Sequence, residues 1–339
     1  MKKKLLILLC LISLSAFAQT TLIPDQNFEQ KLISLGLDTV LDGKVLTSNI
    51  SSVTSLDVSS SSIKSLRGLH AFTNLETLNC SNNELTGLDL SLSRKLSTLI
   101  CHSNKIQSLD FKQNPLLRNL DCQSNLINYL DISQNEYLTQ LYCSKNKLPS
   151  LNITKNFNLQ GLYCSDNVLY TLNLTNNNVL VNLVCNNNRL KSLDLSKNTL
   201  LVDLYCENNR ITSLDVTRQN KLRNVNLNSN ELINLNLKNG NNQLLNTNNL
   251  SFLRNPQLAC IQVDNTLFSN TNWQDQVYRT AVAQNYNLSY GGGNDNTNYF
   301  FSLGYNDQQG TIKNSGMKKV TARVNATHKL FDNKVVLAV

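Results

Sequence analysis

The chain has 339 residues, of which 41% are hydrophobic and 16% charged, enough apolar material for a large core and a composition that excludes disordered or collagen-like classes. Its formal charge of +8 does not concentrate anywhere: residues 1–18 carry three lysines, residues 19–272 carry 21 basic against 19 acidic residues, and residues 273–339 carry seven against four. Without a concentrated basic face for phosphate neutralisation, nucleic-acid binding is set aside.

In chain order, Lys2, Lys3 and Lys4 precede an apolar run from Leu5 to about Leu14, followed by Ser15, Ala16, Phe17 and Ala18. The run is too short for a helix to cross a bilayer about 30 Å thick, and it ends in the small residues that signal peptidase needs. Residues 1–18 therefore read as a secretory signal peptide cleaved after Ala18, and Cys10, preceded by two leucines, does not read as a lipid anchor. No later stretch has the length and hydrophobicity of a transmembrane helix, so an exported chain without a helical anchor is expected.

In residues 19–52, Asp25 is a candidate N-cap, with Phe28, Leu32 and Leu35 on one side of a short helix. From there a period of 21 residues takes over. Cys80, Cys101, Cys122, Cys143, Cys164, Cys185 and Cys206 follow it, as do Asn83, Asn104, Asn125, Asn146, Asn167, Asn188, Asn209 and Asn230. Alternation in Leu78-Asn79-Cys80 and again in Leu88-Asp89-Leu90 is strand-like, and a unit this short holds no long helix. One unit cannot bury its own apolar edge, whereas stacked copies can, so the period predicts a solenoid.

The run L-x-x-L-x-C-x-x-N-x-L resembles the leucine-rich repeat, in about eight copies from Leu75 to Leu237 with an irregular leading copy around Val53 to Val58. Cysteine in place of the third leucine resembles the cysteine ladders of internalin-like proteins, and the L-x-x-L-D-L-S half resembles repeat proteins secreted by Bacteroidetes. IPDQNFEQKLISLGLD looks like their helical cap, and NPQLACIQVDN around Cys260 like their closing cap. The expected fold is a leucine-rich-repeat solenoid, mainly parallel β with a short N-terminal helical cap, followed by an antiparallel hairpin segment. The expected divisions are a cap at 19–52, repeats at 53–237 and a second cap at 238–271.

Each ladder cysteine alternates with an outward residue and is expected inside, as a small apolar side chain. Seven stacked partners cannot all pair, no C-x-x-C spacing supports zinc, and packing outweighs occasional disulfides or metal. The resemblance implies that each ladder asparagine sits where a strand turns toward the convex side, bonding backbone groups of its own and adjacent coils. The outward column then reads Asn79, Ile100, Asp121, Tyr142, Tyr163, Val184, Tyr205 and Asn226, flanked by Gln140, Gly161, Asn182 and Asp203. An aromatic stripe on the concave sheet is a candidate ligand surface, against the plainer role of strengthening neighbouring coils. The candidate binding residues are Ile100, Gln140, Tyr142, Tyr163, Asn182, Val184, Asp203 and Tyr205.

Beyond Trp273 the period stops. Tyr286, Leu288, Tyr290, then Tyr299, Phe301, Leu303, Tyr305, then Val320, Ala322, Val324 alternate with polar residues as strands, and Gly291-Gly292-Gly293 reads as a turn between them. The stretch TNWQDQVYRTAVAQNYNLSYGGGNDNTNYFFSLGYNDQQG resembles a barrel segment of SusC-like, TonB-linked outer-membrane receptors, which import glycans or peptides. About four strands cannot close a membrane barrel, so transport by residues 272–339 alone is not expected, and membrane association is expected only through them. The chain reads as two gene segments joined near Thr271 to Trp273, or as a fusion whose hairpins pack on the solenoid.

No phosphate loop, nucleophile elbow or H-E-x-x-H motif is present, and His70, His102 and His328 belong to different units. The column Asp89, Asp110, Asp131, Asn152, Asn173, Asp194, Asp215 reads as surface or backbone-bonding rather than calcium-binding, because some coils lack the charge. The sequence thus points to an exported, noncatalytic binding or adhesion protein without metal or cofactor, meeting a protein or glycan at the cell surface or outer membrane. The alternative is a fragment or fusion of a SusC-like receptor.

Overall fold

The computed structural model describes residues 19–246, 248–265, 283–309, 316–330 and 335–338; the expected leader at 1–18 and the junction near Thr271 to Trp273 lie outside the described residues. At the N-terminus β1 (Thr20–Leu22) pairs antiparallel with β2 (Lys44–Leu46), and α1 (Gln26–Ser34) runs between them, followed after β2 by the short α2 (Thr47–Ile50). Asp25 caps α1 by accepting the Phe28 N–H at 3.1 Å, and its other oxygen accepts the Lys64 and Ser65 N–H groups at 2.7 and 2.9 Å, tying the cap to the first coil. Glu29 is buried, its Oε1 accepting the N–H groups of Asp42, Gly43 and Lys44. Phe28 and Leu32 are fully buried, and Phe28 stacks on Phe72. Leu35 does not join them: it is the C-cap, the chain turns away at Gly36 with φ +72°, and the side chain stays exposed.

The periodic region forms one ten-stranded parallel sheet. Its strands are β3 (Ser55–Asp57), β4 (Thr77–Asn79), β5 (Thr98–Ile100), β6 (Asn119–Asp121), β7 (Gln140–Tyr142), β8 (Gly161–Tyr163), β9 (Asn182–Val184), β10 (Asp203–Tyr205), β12 (Asn224–Asn226) and β14 (Leu250–Ser251). Three-residue strands are too short to stand alone. They persist because every coil enters in the same register, Leu56 against Leu78, Leu78 against Leu99, and so on to Val225 against Leu250. The ladder also continues past the strands: the Cys80 N–H donates to the Ile100 carbonyl at 2.8 Å and the Asn82 N–H to the His102 carbonyl at 3.0 Å.

Each coil then turns through one left-handed residue, Asn82, Ser103, Ser124, Lys145, Asp166, Asn187, Asn208 or Ser229, with φ between 51° and 57°. Asn, Asp and Ser suit that conformation through local hydrogen bonds. The ladder asparagine follows directly. Asn146 shows the pattern: its Oδ1 accepts the Ile127 N–H at 3.0 Å, and its Nδ2 donates to the carbonyls of Cys122, Cys143 and Ser144 at 3.0, 3.1 and 3.2 Å. One side chain thereby satisfies backbone groups of two coils.

A second amide ladder, absent from the sequence reading, lies on the opposite side of the coils. Asn114, Asn135, Asn156, Asn177 and Asn198 are fully buried, and Gln219 continues the row. Asn156 Nδ2 donates to the Ile132 and Asn135 carbonyls at 3.1 and 2.9 Å, closing the turn of the preceding coil. The Oδ1 atoms of these five asparagines have no hydrogen-bond partner.

The second alternating segment of each unit departs from expectation. Around Leu88-Asp89-Leu90 there is no strand, and in the middle coils only Asp110 and Asp131 form an isolated bridge. Asp89, Asp110, Asp131, Asn152, Asn173, Asp194 and Asp215 each accept the N–H two residues on, as Asp57 and Asp121 do at the ends of β3 and β6, so this turn ends the segment without deciding whether it pairs with the next coil. Only in the last coils does this edge become a sheet, with β11 (Ser213–Asp215), β13 (Asn234–Asn236) and β15 (Cys260–Gln262) in parallel.

The tail forms a four-stranded antiparallel sheet of β16 (Ala283–Gly293), β17 (Thr297–Gln309), β18 (Gly316–Leu330) and β19 (Val335–Ala338). Gly291, Gly292 and Gly293 are not the turn. They lie inside β16 opposite Phe300, Tyr299 and Asn298, and the chain reverses at Asn294 to Asn296. A Cβ on Gly292 would come within 2.8 Å of the Tyr299 hydroxyl, so the glycine leaves room for that ring.

The first ladder yields a prediction. Asn146→Ala leaves the Ile127 N–H unpaired and takes one of two amide donors from the Cys122 and Cys143 carbonyls, which keep Asn125 and Asn167, and is expected to lower unfolding stability by about 2 kcal/mol in a urea titration. An unchanged midpoint would refute the bridging role.

Candidate functional site

Because the central residue of each strand points inward, its two neighbours stand on the open face of the ten-stranded sheet. Leu141 is fully buried between half-exposed Gln140 and Tyr142, β9 and β10 repeat that pattern at Leu183 and Leu204, and in β8 Gly161 is buried beside Leu162. Ile100, Tyr142, Tyr163, Val184 and Tyr205 share one column, and Gln140, Gly161, Asn182 and Asp203 the adjacent one, as the pairings of Tyr142 with Tyr163, Tyr163 with Val184 and Val184 with Tyr205 require.

Within the column, Tyr142 and Tyr163 stack with centroids 4.4 Å apart and planes 8° from parallel. That spacing is the interstrand distance of a sheet, so the rings lie face to face along the solenoid and present edges and hydroxyls outward. Gly161 is buried beneath the Gln140 side chain, and a Cβ there would overlap Gln140 Oε1, so the missing side chain lets Gln140 lie across the sheet. Tyr205 is separated from the stack by Val184 and keeps its ring unstacked among the described residues.

The open face extends one step beyond each strand. Ser81 and Gln123 bond the side chains of Asn79 and Asp121, which places the residue after each cysteine on the same face. Glu207 is such a residue, on the coil of Asp203 and Tyr205, and was not among the residues singled out from sequence. The signal was available, since the alternation runs on through Cys206. Burial, then the Asp203 and Glu207 charges, push the Tyr205 hydroxyl above its ordinary pKa. Burial, then Tyr142, do the same for Tyr163. Burial raises the Glu207 carboxyl, whose Oε2 is enclosed without a hydrogen-bond partner.

Beneath the face, the seven ladder cysteines are free and fully buried. Burial pushes the Cys80 and Cys164 thiols up to about 12 and raises the other five as well. Cys260, in β15, is free and exposed. Among the described residues no group of three or more His, Cys, Asp or Glu is arranged to hold a metal ion. His102 stays at the edge of the face, its Nδ1 3.1 Å from Ser103 Oγ.

This geometry has close counterparts among solved structures. The functional domain of InlJ from Listeria monocytogenes, described as including a cysteine ladder, is 27% identical, with a TM-score of 0.59 over 78% of this chain and 64% of that one. The internalin InlF of the same organism is 20% identical with a TM-score of 0.63, covering 78% and 84%. The fold is a leucine-rich-repeat solenoid with a cysteine ladder. It is of the kind that serves as a binding scaffold.

Other similarities are short. The TonB-dependent receptor SusC of Bacteroides thetaiotaomicron is 43% identical over 65 residues, and receptor P3 of Formosa agariphila 39% identical over 57. The matched stretch spans 19% of this chain and only 6% of SusC. No family model matches the chain. Among the described residues no helix is long and apolar enough to cross a membrane, which leaves a β-barrel unaddressed.

The buried thiols set an alkaline limit on stability. Their folded pKa values lie above the ordinary cysteine range near 9, so the folded state keeps protons that the unfolded chain loses. This contribution is complete below about pH 8 and declines as pH rises toward 12, by at most about 1.4 kcal/mol per pH unit for each thiol. Urea midpoints are expected to be level from pH 7 to 8 and to fall steeply above pH 9. In the native protein at pH 8 a thiol reagent should label Cys260 and spare Cys80 through Cys206.

Proposed function

We propose that the chain is an exported, noncatalytic recognition or adhesion protein, and that the open face of its ten-stranded sheet is a concave surface that docks a protein or glycan. In this reading residues 1–18 are the leader, 19–52 and 238–271 cap the repeats at 53–237, and 272–339 form a separate β segment. Ile100, Gln140, Tyr142, Tyr163, Asn182, Val184, Asp203 and Tyr205 carry the contacts. The supporting observation is the tyrosine column: three half-buried tyrosines over four consecutive coils, two locked in a stack. The stack strengthens neighbouring coils and also readies the surface for a partner, because rings held in place lose little rotamer freedom on binding.

The test is binding of the full chain to protein and glycan arrays, compared with Tyr163→Ala/Tyr205→Ala. The double variant is expected to lose at least tenfold in affinity for every ligand found while remaining folded, its melting temperature lowered by a few degrees through loss of the Tyr142–Tyr163 stack. Retained binding would remove the face from consideration.

The tail supports a second reading, in which residues 272–339 are a piece of a SusC-like outer-membrane receptor. In β16 to β18, Leu288, Tyr290, Phe301, Leu303, Val320 and Val324 share one exposed face, while Asn287, Ser302, Thr321 and Arg323 share the other. Strands of 11, 13 and 15 residues with that alternation match the lipid and lumen faces of a barrel wall. Leu288→Arg with Leu303→Arg is then expected to shift the chain from the outer-membrane to the soluble fraction; unchanged partition would discard the reading.

A further inference from the structure

The open face of the sheet has a charge opposite to that of the chain. At the three outward positions of each coil, from Ser55 in β3 through Asn228 after β12, there are four carboxylates, Asp57, Asp121, Asp203 and Glu207, and no Lys or Arg. The whole chain, by contrast, carries 31 Lys and Arg against 23 Asp and Glu. Its basic residues have been kept off this face.

The carboxylates and the tyrosine column meet on one coil. Asp203, Tyr205 and Glu207 are alternate residues, so they stand in a row on the open face about 6.6 Å apart, a carboxylate on each side of an unstacked ring. No other coil has that row. Asp166, on the coil of Tyr163, adds its negative field at Glu207. Asp203 Oδ1 accepts from Asn224 Nδ2 at 2.5 Å, and Glu207 Oε2 is enclosed below the surface.

Two of the other exposed tyrosines carry an arginine, whereas Tyr129 carries none among the described residues. Outside the strands, the Arg118 guanidinium lies 5.5 Å from the centre of the Tyr137 ring, and Arg189 lies 5.5 Å from that of Tyr170 while its Nη1 donates to the Tyr170 hydroxyl at 2.6 Å. Among the described residues no arginine covers Tyr205.

Resting on the reading of this face as a docking surface, we infer that its partner is a protein segment presenting arginine, with a guanidinium seated over Tyr205 between Asp203 and Glu207. A planar guanidinium stacks on an aromatic ring and donates to carboxylates on either side at once, which a neutral sugar cannot do and an ammonium does less well. The acidic face also draws a basic segment toward it in preference to the rest of a positively charged molecule.

The experiment measures binding of the full chain to deca-arginine, deca-lysine, deca-glutamate and dextran by calorimetry at 50 mM salt. Expected are binding of deca-arginine ahead of deca-lysine, none of the other two, and at least a tenfold loss for deca-arginine with Asp203→Asn/Glu207→Gln. The control Glu84→Gln/Glu231→Gln, which removes equal charge away from the face, should retain wild-type affinity. Equal loss in the control, no loss in the face variant, or preference for dextran or deca-glutamate would overturn the inference. If Tyr163→Ala/Tyr205→Ala abolishes binding of an array ligand that the acid variant leaves untouched, the face still docks a partner but not through arginine. If neither variant alters any binding, the docking surface itself fails.

Discussion

The structure depends on register between coils. A strand of three residues has almost no stability of its own, and each coil from β4 to β10 keeps its shape because the next one arrives 21 residues later with the same groups in the same places. The asparagine at the end of each strand enforces this, since its amide accepts from one coil and donates to carbonyls of two. A coil shifted by one residue would put Lys145 or Lys147 where Asn146 stands and leave the Ile127 N–H without its acceptor, at a cost of about a kcal/mol or more.

The same constraint explains the sulfur. The position after each outward residue lies in a fully enclosed interior beneath the strand, where a small apolar side chain fits and a thiol meets only its neighbours above and below. Seven buried thiols are acceptable because burial suppresses their ionisation, which also keeps them out of redox chemistry at neutral pH. Regular interior and regular surface are one fact seen from two sides: strand alternation that hides a cysteine must display the residue before it.

That display is where the coils differ. Interior positions repeat almost without change, whereas the open face varies from Ile100 to Tyr142 to Val184 to Tyr205, and its charge departs from that of the chain. Stacking of Tyr142 on Tyr163 and the Gln140 side chain over Gly161 make the central part of the face firm. The coil of β10 sets Tyr205, unstacked, between Asp203 and Glu207.

Sequence by itself determined the period, the inward and outward assignment of the strand residues beside the cysteine ladder and the Asp25 cap, because each rests on alternation or spacing along a single unit. Only tertiary structure decided the rest. The second amide ladder at Asn114 to Asn198 has meaning only when one coil closes the turn of another, and the alternation at Leu88 to Leu90 becomes a strand only where a neighbouring coil pairs with it, as at β11, β13 and β15. Gly291 to Gly293 are strand residues because of what stands opposite them. Alternation is a local property of the chain and can be read along it; who partners whom across coils is set by three-dimensional contact.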